Sequence, residues 1–396
     1  MTESKEAGIL RVGMVGLGLA ASSHIRGYAS HPQAEVVAVC DANGERAQAF
    51  ADDHGVGRVY SDYDAMLREA GVGAVDIATP TFLHAPMALR ALDAGKHVHC
   101  EKPFCNSVGE GRRVYEAAER KGVRLTVGET YVFISSHMKA RELIEDGEIG
   151  TPLQVRQRLG PWLEREGDSA FAMPADRSWR VDPRKSGGGD YPWVFDHAVH
   201  FFATAEYMVP GQRIAEVYAV RASGRDVARG RGAVHDPYTT PDVDIPLITW
   251  TYDDPARQGV WMRAERLNGK YDYMRGLSTT IIGERGMIEV LGEGGHNLLW
   301  EGRQQHLVLH REGMETRCFR FEEGADEVWQ SDISYYSQGH INQVHHFVDC
   351  ALEDAEPRYG GEQGVHAVAC SLAAILSARE GRPVQVDEIG PDFTAY

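Results

Sequence analysis

The chain has 396 residues, 43% of them hydrophobic and 25% charged, the balance of a soluble globular protein long enough for two domains. Its formal net charge of −17 argues against nucleic acid or an anionic membrane surface as a partner. No apolar run approaches the roughly 20 residues of a membrane span, and the polar opening Met1 to Gly8 shows no secretory leader, so a cytoplasmic protein is expected.

The first third alternates strand and helix. Ile9 to Val15 is a short apolar run that feeds directly into Gly16-Leu17-Gly18-Leu19-Ala20-Ala21, and the residues after it can wind as a helix. This is the strand–turn–helix setting of a dinucleotide fingerprint. Gly16 permits the tight turn, Gly18 leaves the pyrophosphate unobstructed, and Ala21 lets the helix pack close to the strand. Leu19 and Ala20 then open the helix, where free N–H groups and the positive dipole end face the phosphates. A second strand, Glu35 to Cys40, ends at Asp41, at about the 20-residue distance where a carboxylate takes the ribose hydroxyls and repels a 2′-phosphate. NAD is therefore expected over NADP.

Helices are predicted over Gly44–His54 and Asp62–Ala70, a strand over Ala74–Ala78 broken by Thr79-Pro80, and a helix over His84–Ala94 closed by Gly95. The strand His97–Cys100 runs into Glu101-Lys102-Pro103, the helix Val108–Lys121 is capped by Gly122, and Val123–Val127 is a further strand. Such alternation predicts a doubly wound parallel sheet, with residues 1–130 as the NAD-binding Rossmann domain. Lys102 then lies on the carboxyl edge, where open α/β sheets bind ligands.

Past Gly128 the pattern changes. A helix over Ser136–Asp146 is followed by β-type stretches at Pro152–Arg158, Ile214–Ala222, Ile245–Thr251, Gly259–Arg266, Ser278–Gly283 and Met287–Leu291. They predict an α+β domain, residues 131–396, with a large mixed or antiparallel sheet of about six strands. A helix is expected near Val194–Met208, and two more, Ile341–Leu352 and Gly364–Arg379, close the chain. The long charged and Gly/Pro-rich loops Pro161–Gly189 and Ala222–Asp244 have the length of functional loops. Asp196 and His200, four apart after a triglycine turn that lets the backbone approach a ligand closely, share one helix face. The six cysteines are scattered, in keeping with a reduced compartment, and Cys100 and Cys105 beside His97 and His99 lack zinc-site spacing, so no metal is expected.

Together these motifs resemble the glucose–fructose oxidoreductase / inositol dehydrogenase / MocA family over nearly the whole length. The carriers are Gly16-Leu17-Gly18 with Ala21, Asp41, Ala78-Thr79-Pro80 with His84, Gly95-Lys96-His97-Val98 running into Glu101-Lys102-Pro103, Trp179-Arg180, and Asp196 with His200. The resemblance implies cofactor contacts at Thr79, Pro80, His84, Glu101, Lys102, Trp179 and Arg180. It implies that Lys102 orients the substrate hydroxyl and nicotinamide, that Asp196 holds sugar hydroxyls, and that His200 is the general acid/base. Histidine titrates near neutrality and can both take and return a hydroxyl proton, and an ammonium can stabilise a developing alkoxide.

The sequence departs from the family pattern at Thr81, at Gly128-Glu129-Thr130-Tyr131, at Ala198 and at Ala203. Glu129 and Tyr131 are candidate substrate contacts, or else a strand-end salt bridge and a packed ring. Arg156 and Arg158 share a strand face, Arg263 and Arg266 flank another strand, and Arg180 and Arg184 precede the triglycine; each pair is a candidate anion site. Trp162, Trp179, Tyr191 and Trp193 are candidates to stack on a sugar ring, and Tyr191 and His197 are further candidates near His200 to meet substrate or move the proton. His235 and the pair His345-His346 read as surface or packing residues.

Three functions fit these residues. One is an NAD-dependent oxidoreductase acting on a secondary hydroxyl of a sugar, glycoside or cyclitol. The second is an NAD-dependent glycoside hydrolase working by transient oxidation, elimination, hydration and re-reduction, on an anionic, for example sulfonated, glycoside. The third is a redox-sensing protein, against which the acid/base residues argue. A homodimer or homotetramer packed through the second domain's sheet is expected.

Overall fold

The computed structural model describes residues 8–159, 179–180, 182–222, 244–263, 278–291, 305–321 and 334–396. The chain forms two compact units, Met1–Glu129 with His340–His366, and Thr130–Gly339 with Ala367–Tyr396.

The first unit runs β1 (Leu10–Val15), α1 (Leu19–Ser30), β2 (Ala34–Cys40), α2 (Gly44–His54), β3 (Val59–Tyr60), α3 (Tyr63–Glu69), β4 (Ala74–Ile77), α4 (His84–Asp93), β5 (His97–Glu101), α5 (Val108–Lys121) and β6 (Leu125–Gly128). The strands pair in parallel in the order β3-β2-β1-β4-β5-β6. This doubly wound order reverses direction between β1 and β4, the switch point where dinucleotides bind. Local chemistry sets the helix ends: Asn43, Asp62 and Ser107 accept from backbone N–H groups at the starts of α2, α3 and α5, and Gly55 and Gly122 end α2 and α5 in the left-handed conformation.

Strands buried on both faces read as continuous apolar runs. Val12 and Met14 of β1 are buried with Ile25 and Tyr28 of α1, and with Val344, Phe347 and Val348 from the late helix Ser334–Glu353. Asp76 in β4 breaks the rule: it is a fully buried carboxylate in the middle of the sheet.

The second unit holds α6 (Ser135–Glu145), β7 (Pro152–Leu159), α7 (Pro183–Ser186), α8 (Pro192–Tyr207), β8 (Ile214–Ala222), β9 (Asp244–Tyr252), β10 (Gln258–Arg263), β11 (Ser278–Gly283), β12 (Gly286–Leu291), β13 (Gln305–Arg311) and β14 (Arg317–Phe321). The chain closes with α9 (Ser334–Glu353), α10 (Gly361–Glu380) and β15 (Val384–Gln385). The nine strands form one sheet in the order β14-β13-β12-β11-β7-β10-β9-β8-β15. It is mixed, because β10 pairs parallel with β7 whereas the other pairs are antiparallel. The sequence pattern predicts about six strands. The additional ones are β13, where histidines interrupt the apolar run, the mostly exposed edge strand β14, and the two-residue β15.

Pro192 sits in the first turn of α8, where its missing N–H costs nothing. The helix lies on one face of the sheet: Phe201 packs 5.2 Å from Trp261 of β10, and Phe202 meets Trp250 of β9 edge-on at 5.6 Å. Among the described residues no helix is long and apolar enough to cross a membrane.

Candidate active site

In the first unit, β1 ends in a turn at Gly16 with φ of 84°. A Cβ at Gly16 would lie 2.6 Å from the Thr79 side chain, so only glycine fits both the backbone angle and the close approach. Gly18 then caps α1 without any side-chain hydrogen bond, and the first turn holds no acidic residue. The Thr79 hydroxyl beside this turn is buried with no hydrogen-bond partner among the described residues. An uncapped helix start, a turn with glycine at positions 16 and 18, and an orphaned hydroxyl suit a dinucleotide phosphate group. Leu19 is exposed and Ala20 follows it in the first turn, as expected.

Asp41 directly follows β2 and is buried. One carboxylate oxygen accepts from the Leu17 N–H at 2.9 Å and Arg46 Nε at 3.0 Å; the other accepts from the Asn43 N–H at 2.8 Å and Arg46 Nη2 at 3.0 Å. Burial pushes this carboxyl up, but the hydrogen bonds from Arg46, Asn43 and Leu17 outweigh it and hold its pKa below the ordinary value. All four acceptor positions are filled, so any further donor to this carboxylate has to displace one of them.

The loops after β4 and β5 are tied by one imidazole. His84 is buried, with Nδ1 2.8 Å from the Pro103 carbonyl and Nε2 2.7 Å from the Thr79 carbonyl. Burial lowers its pKa and the two carbonyl contacts work against that; in the neutral form one contact lacks its hydrogen. His84 thus lies between Thr79-Pro80 and the Lys102-Pro103 corner, with a ring nitrogen at hydrogen-bond distance from a carbonyl of each and, when neutral, a hydrogen bond to one of them. Lys102 itself is half-buried, and its N–H donates to Glu101 Oε2 at 3.2 Å.

In the second unit, Asp196 and His200 are buried and one turn apart on α8. Arg180 Nη1 donates to Asp196 Oδ2 at 2.7 Å, and the Arg180 guanidinium lies 5.2 Å over the Trp179 ring. His197 Nδ1 is 3.5 Å from the same Asp196 oxygen. The Tyr131 ring stacks on His200, centroids 4.4 Å apart and planes within 14°. Tyr131 is held in turn by the short 3-10 turn Thr130–Phe133, whose Tyr131 carbonyl accepts from His137 Nδ1 at 2.6 Å. The geometry thus favours the packed-ring alternative for Tyr131. Glu129 is buried in the first unit. Tyr191 is buried at the start of α8, with the Arg379 guanidinium 5.8 Å over its ring.

Two expectations need correction. Arg156 and Arg158 do share a face of β7, but Gln157, paired with Trp261, occupies the face toward α8. The alternation of a strand therefore puts both arginines on the face turned away from Asp196 and His200, and Arg156 instead donates to Gln154 at 2.6 Å. The triglycine does not leave room for a ligand at its third position, because a Cβ on Gly189 would lie 2.0 Å from the Ala395 carbonyl. Arg184 is exposed on α7. Trp162, His235 and Arg266 lie outside the described residues, as do the side chains of Trp193 and Arg263.

Three contributors escape the sequence patterns. Arg46 on Asp41 is one. His24 and Asp76, which meet at 3.0 Å, are the others. The available signal was Asp76 itself, a carboxylate inside an otherwise apolar strand.

Residues 10–129 match the family model of an oxidoreductase family with an NAD-binding Rossmann fold, and residues 141–386 match the model of that family's C-terminal alpha/beta domain. An uncharacterised oxidoreductase of Bacillus subtilis is 28% identical over 376 residues, covering 95% of this chain and 96% of its own. Inositol 2-dehydrogenase of Salmonella typhimurium is 36% identical over 152 residues, 38% of this chain and 45% of its own length. The solved structure of levoglucosan dehydrogenase with NADH and levoglucosan shares the fold, with a TM-score of 0.73 at 22% identity over 95% of this chain and 99% of that one. On the two family models, which together span most of its length, the chain belongs to the glucose–fructose oxidoreductase, inositol dehydrogenase and MocA family of NAD-binding oxidoreductases.

Proposed function

We propose that the protein moves a hydride between NAD and a secondary hydroxyl of a sugar or cyclitol, with the first unit taking the cofactor and the second the substrate. The observation that carries this reading is the α8 face: an imidazole held by a stacked tyrosine, one turn beyond a carboxylate paired with arginine. His200 takes the hydroxyl proton in oxidation and returns it in reduction. Asp196 accepts from substrate hydroxyls, and Arg180 holds that carboxylate in place. Lys102 stabilises charge developing on the substrate oxygen. When bound, NAD supplies the hydride acceptor or donor. Gly16, Gly18 and the first turn of α1 would hold its phosphates, and Asp41 its ribose.

Relatives named as dehydrogenases of inositol and levoglucosan support a polyol or cyclic sugar as substrate. No observation favours the hydrolase over them. The chain is read as a cytoplasmic homodimer or homotetramer. The face of the second sheet opposite α8 carries the exposed Tyr218 and Met262, apolar surface of the kind a second copy covers.

The test is a panel of sugars, cyclitols and aryl glycosides with NAD, following reduced-nicotinamide absorbance and aglycone release together. Net reduced cofactor from a polyol, lost in His200→Asn, supports the reading. Aglycone release with no net reduced cofactor overturns it.

A further inference from the structure

Behind the Lys102 corner, wholly within the first unit, lies a polar cluster that none of the roles above uses. His24 of α1 is fully buried, yet each ring nitrogen faces a carboxylate. Nδ1 is 3.0 Å from both oxygens of Asp76, and Nε2 is 3.1 Å from Glu101 Oε1. Carboxylates ionised in this way only accept. Both contacts are hydrogen bonds only when His24 carries two ring protons and a positive charge.

The surrounding groups agree with that charge. From α1, the Tyr28 hydroxyl donates to Asp76 Oδ2 at 2.8 Å. From β5, His99 lies 5.1 Å from His24 ring to ring, and its Nδ1 meets the Thr126 hydroxyl of β6 at 2.7 Å. Burial drives the His99 pKa down to about 4, so it stays neutral. From α9, His340 lies 5.4 Å from His24, and the Gln343 amide nitrogen is placed 3.1 Å from His24 Nε2 and 3.2 Å from His340 Nδ1. Gln343 Oε1 meanwhile has no partner among the described residues. Exchanging that amide's nitrogen and oxygen, a freedom of assignment such groups have, turns the unpartnered oxygen toward the His24 N–H. Burial opposes the charge on His24, but Asp76 and Glu101 outweigh it and raise its pKa to about 10.

Glu101 is the link outward. Its second oxygen accepts the Lys102 N–H at 3.2 Å. Gly128 leaves it room, since a Cβ there would sit 2.7 Å from Glu101 Oε1.

We propose that His24 and Asp76 are positioning residues: a buried imidazolium, locked between Asp76 and Glu101, fixes the Glu101 carboxylate and through it the backbone that carries Lys102. The proposal rests on the reading of Lys102 given above. A misplacement of about 1 Å at a reacting group can cost on the order of a hundredfold in rate. Loosening Glu101 is therefore expected to lower kcat while leaving the sugar KM nearly unchanged.

The test uses the full-length protein. Nitrogen NMR of labelled histidine should show His24 protonated on both ring nitrogens at pH 8, where an ordinary histidine is neutral. Asp76→Asn should bring its titration toward neutrality and lower kcat by roughly tenfold to a hundredfold. The alkaline limb of the pH–rate profile should move to lower pH. Tyr28→Phe, which removes one hydrogen bond and keeps the shape, should do the same in smaller measure and covers the case where Asp76→Asn does not fold. Neutral His24 at pH 8 overturns the proposal, as does a metal ion bound one per chain on the His24 nitrogen that faces Asp76. So does an unchanged kcat in both variants. If Lys102→Ala keeps full activity, the reading of Lys102 fails, and that outcome is independent of the His24 spectrum.

Discussion

Replacing Asp41 with alanine should shift cofactor preference from NAD toward NADP, and the contacts set the size of the shift. In the wild type the carboxylate repels a 2′-phosphate. Opposed charges of one sign about 4 Å apart cost about 4 kcal/mol at an effective dielectric of about 20. The Arg46 side chain is 39% exposed, so solvent reaches this site and screens the repulsion to about 2 kcal/mol. Asp41→Ala also removes the carboxylate to which Arg46 donates twice, and a charge-assisted bond from Arg46 to the phosphate adds about 2 kcal/mol. The sum is about 4 kcal/mol, or roughly three decades in the ratio of the two dissociation constants. Titration calorimetry with NAD and NADP on wild type, Asp41→Ala, Arg46→Ala and the double variant measures each part. The double variant should lose about half of the gain, because the repulsion stays removed but the cation is gone. A ratio that moves by less than tenfold in Asp41→Ala would refute the argument. So would an Asp41→Ala gain that survives intact without Arg46.

His200→Ala and Lys102→Ala should each lower turnover by roughly a hundredfold or more while NAD binding, followed by fluorescence, stays near normal. The buried cluster makes stability depend on pH from both sides. His24 has its folded pKa raised from 6.5 to about 10, so its contribution is full below 6.5 and is lost as pH rises through about 10. Burial pushes Glu101 up, but His24 outweighs it and brings the pKa from 4.5 down to about 2, so its contribution is full above 4.5 and is lost as pH falls through about 2. Tm should therefore be flattest between pH 4.5 and 6.5 and fall on the alkaline side, and Asp76→Asn should flatten the alkaline fall; an unchanged alkaline slope in that variant counts against the charged His24. Tyr218→Glu with Met262→Glu should reduce the oligomer to a monomer in light scattering, and a wild-type monomer at micromolar concentration removes the premise.

What was legible in the sequence was what periodicity and local chemistry determine. Alternation marked β1, β2, β4 and β5, the glycines marked the turn between β1 and α1, and a spacing of four put Asp196 and His200 on one helix face. Asp41 was legible because it ends a strand at a fixed distance from those glycines. Its partner Arg46 was not singled out, although it stands only five residues on, because a first-turn arginine on a polar helix is unremarkable until its direction is known. Sidedness also stayed hidden: that Arg156 and Arg158 share a face follows from period two, but which face follows only from the register of β7 on β10. The His24–Asp76 contact joins positions 52 apart, and its neighbour Gln343 comes from 319 residues away. Only the misfit of a carboxylate in β4 hinted at it.

In the first unit the polar ties have a common logic. Each joins a loop or strand end on the carboxyl edge to its neighbour across the parallel sheet, whose ladder bonds stop where the strands stop. Asp41 ties the end of β2 to the turn after β1 through Leu17. His84 packs between the loop after β4 and the loop after β5, with the Thr79 and Pro103 carbonyls on its two ring nitrogens and, when neutral, a hydrogen bond to one of them. His24 ties β4 to the last residue of β5 through Asp76 and Glu101. Loops at this edge must present free N–H groups and charged side chains outward, so their own backbone cannot be satisfied by further sheet. Bracing them from beneath with buried side chains keeps the outward groups fixed, and a buried ion pair resists removal because either partner left alone is costly. On that argument Lys102 is held from both sides, by His84 through Pro103 and by His24 through Glu101. The two braces should be separable: His84→Gln should loosen the Thr79 loop and weaken NAD binding, whereas Asp76→Asn should act on turnover with NAD binding retained. Equal losses of NAD affinity in both variants would mean that the corner moves as one body and that the cofactor loop and Lys102 are not braced separately.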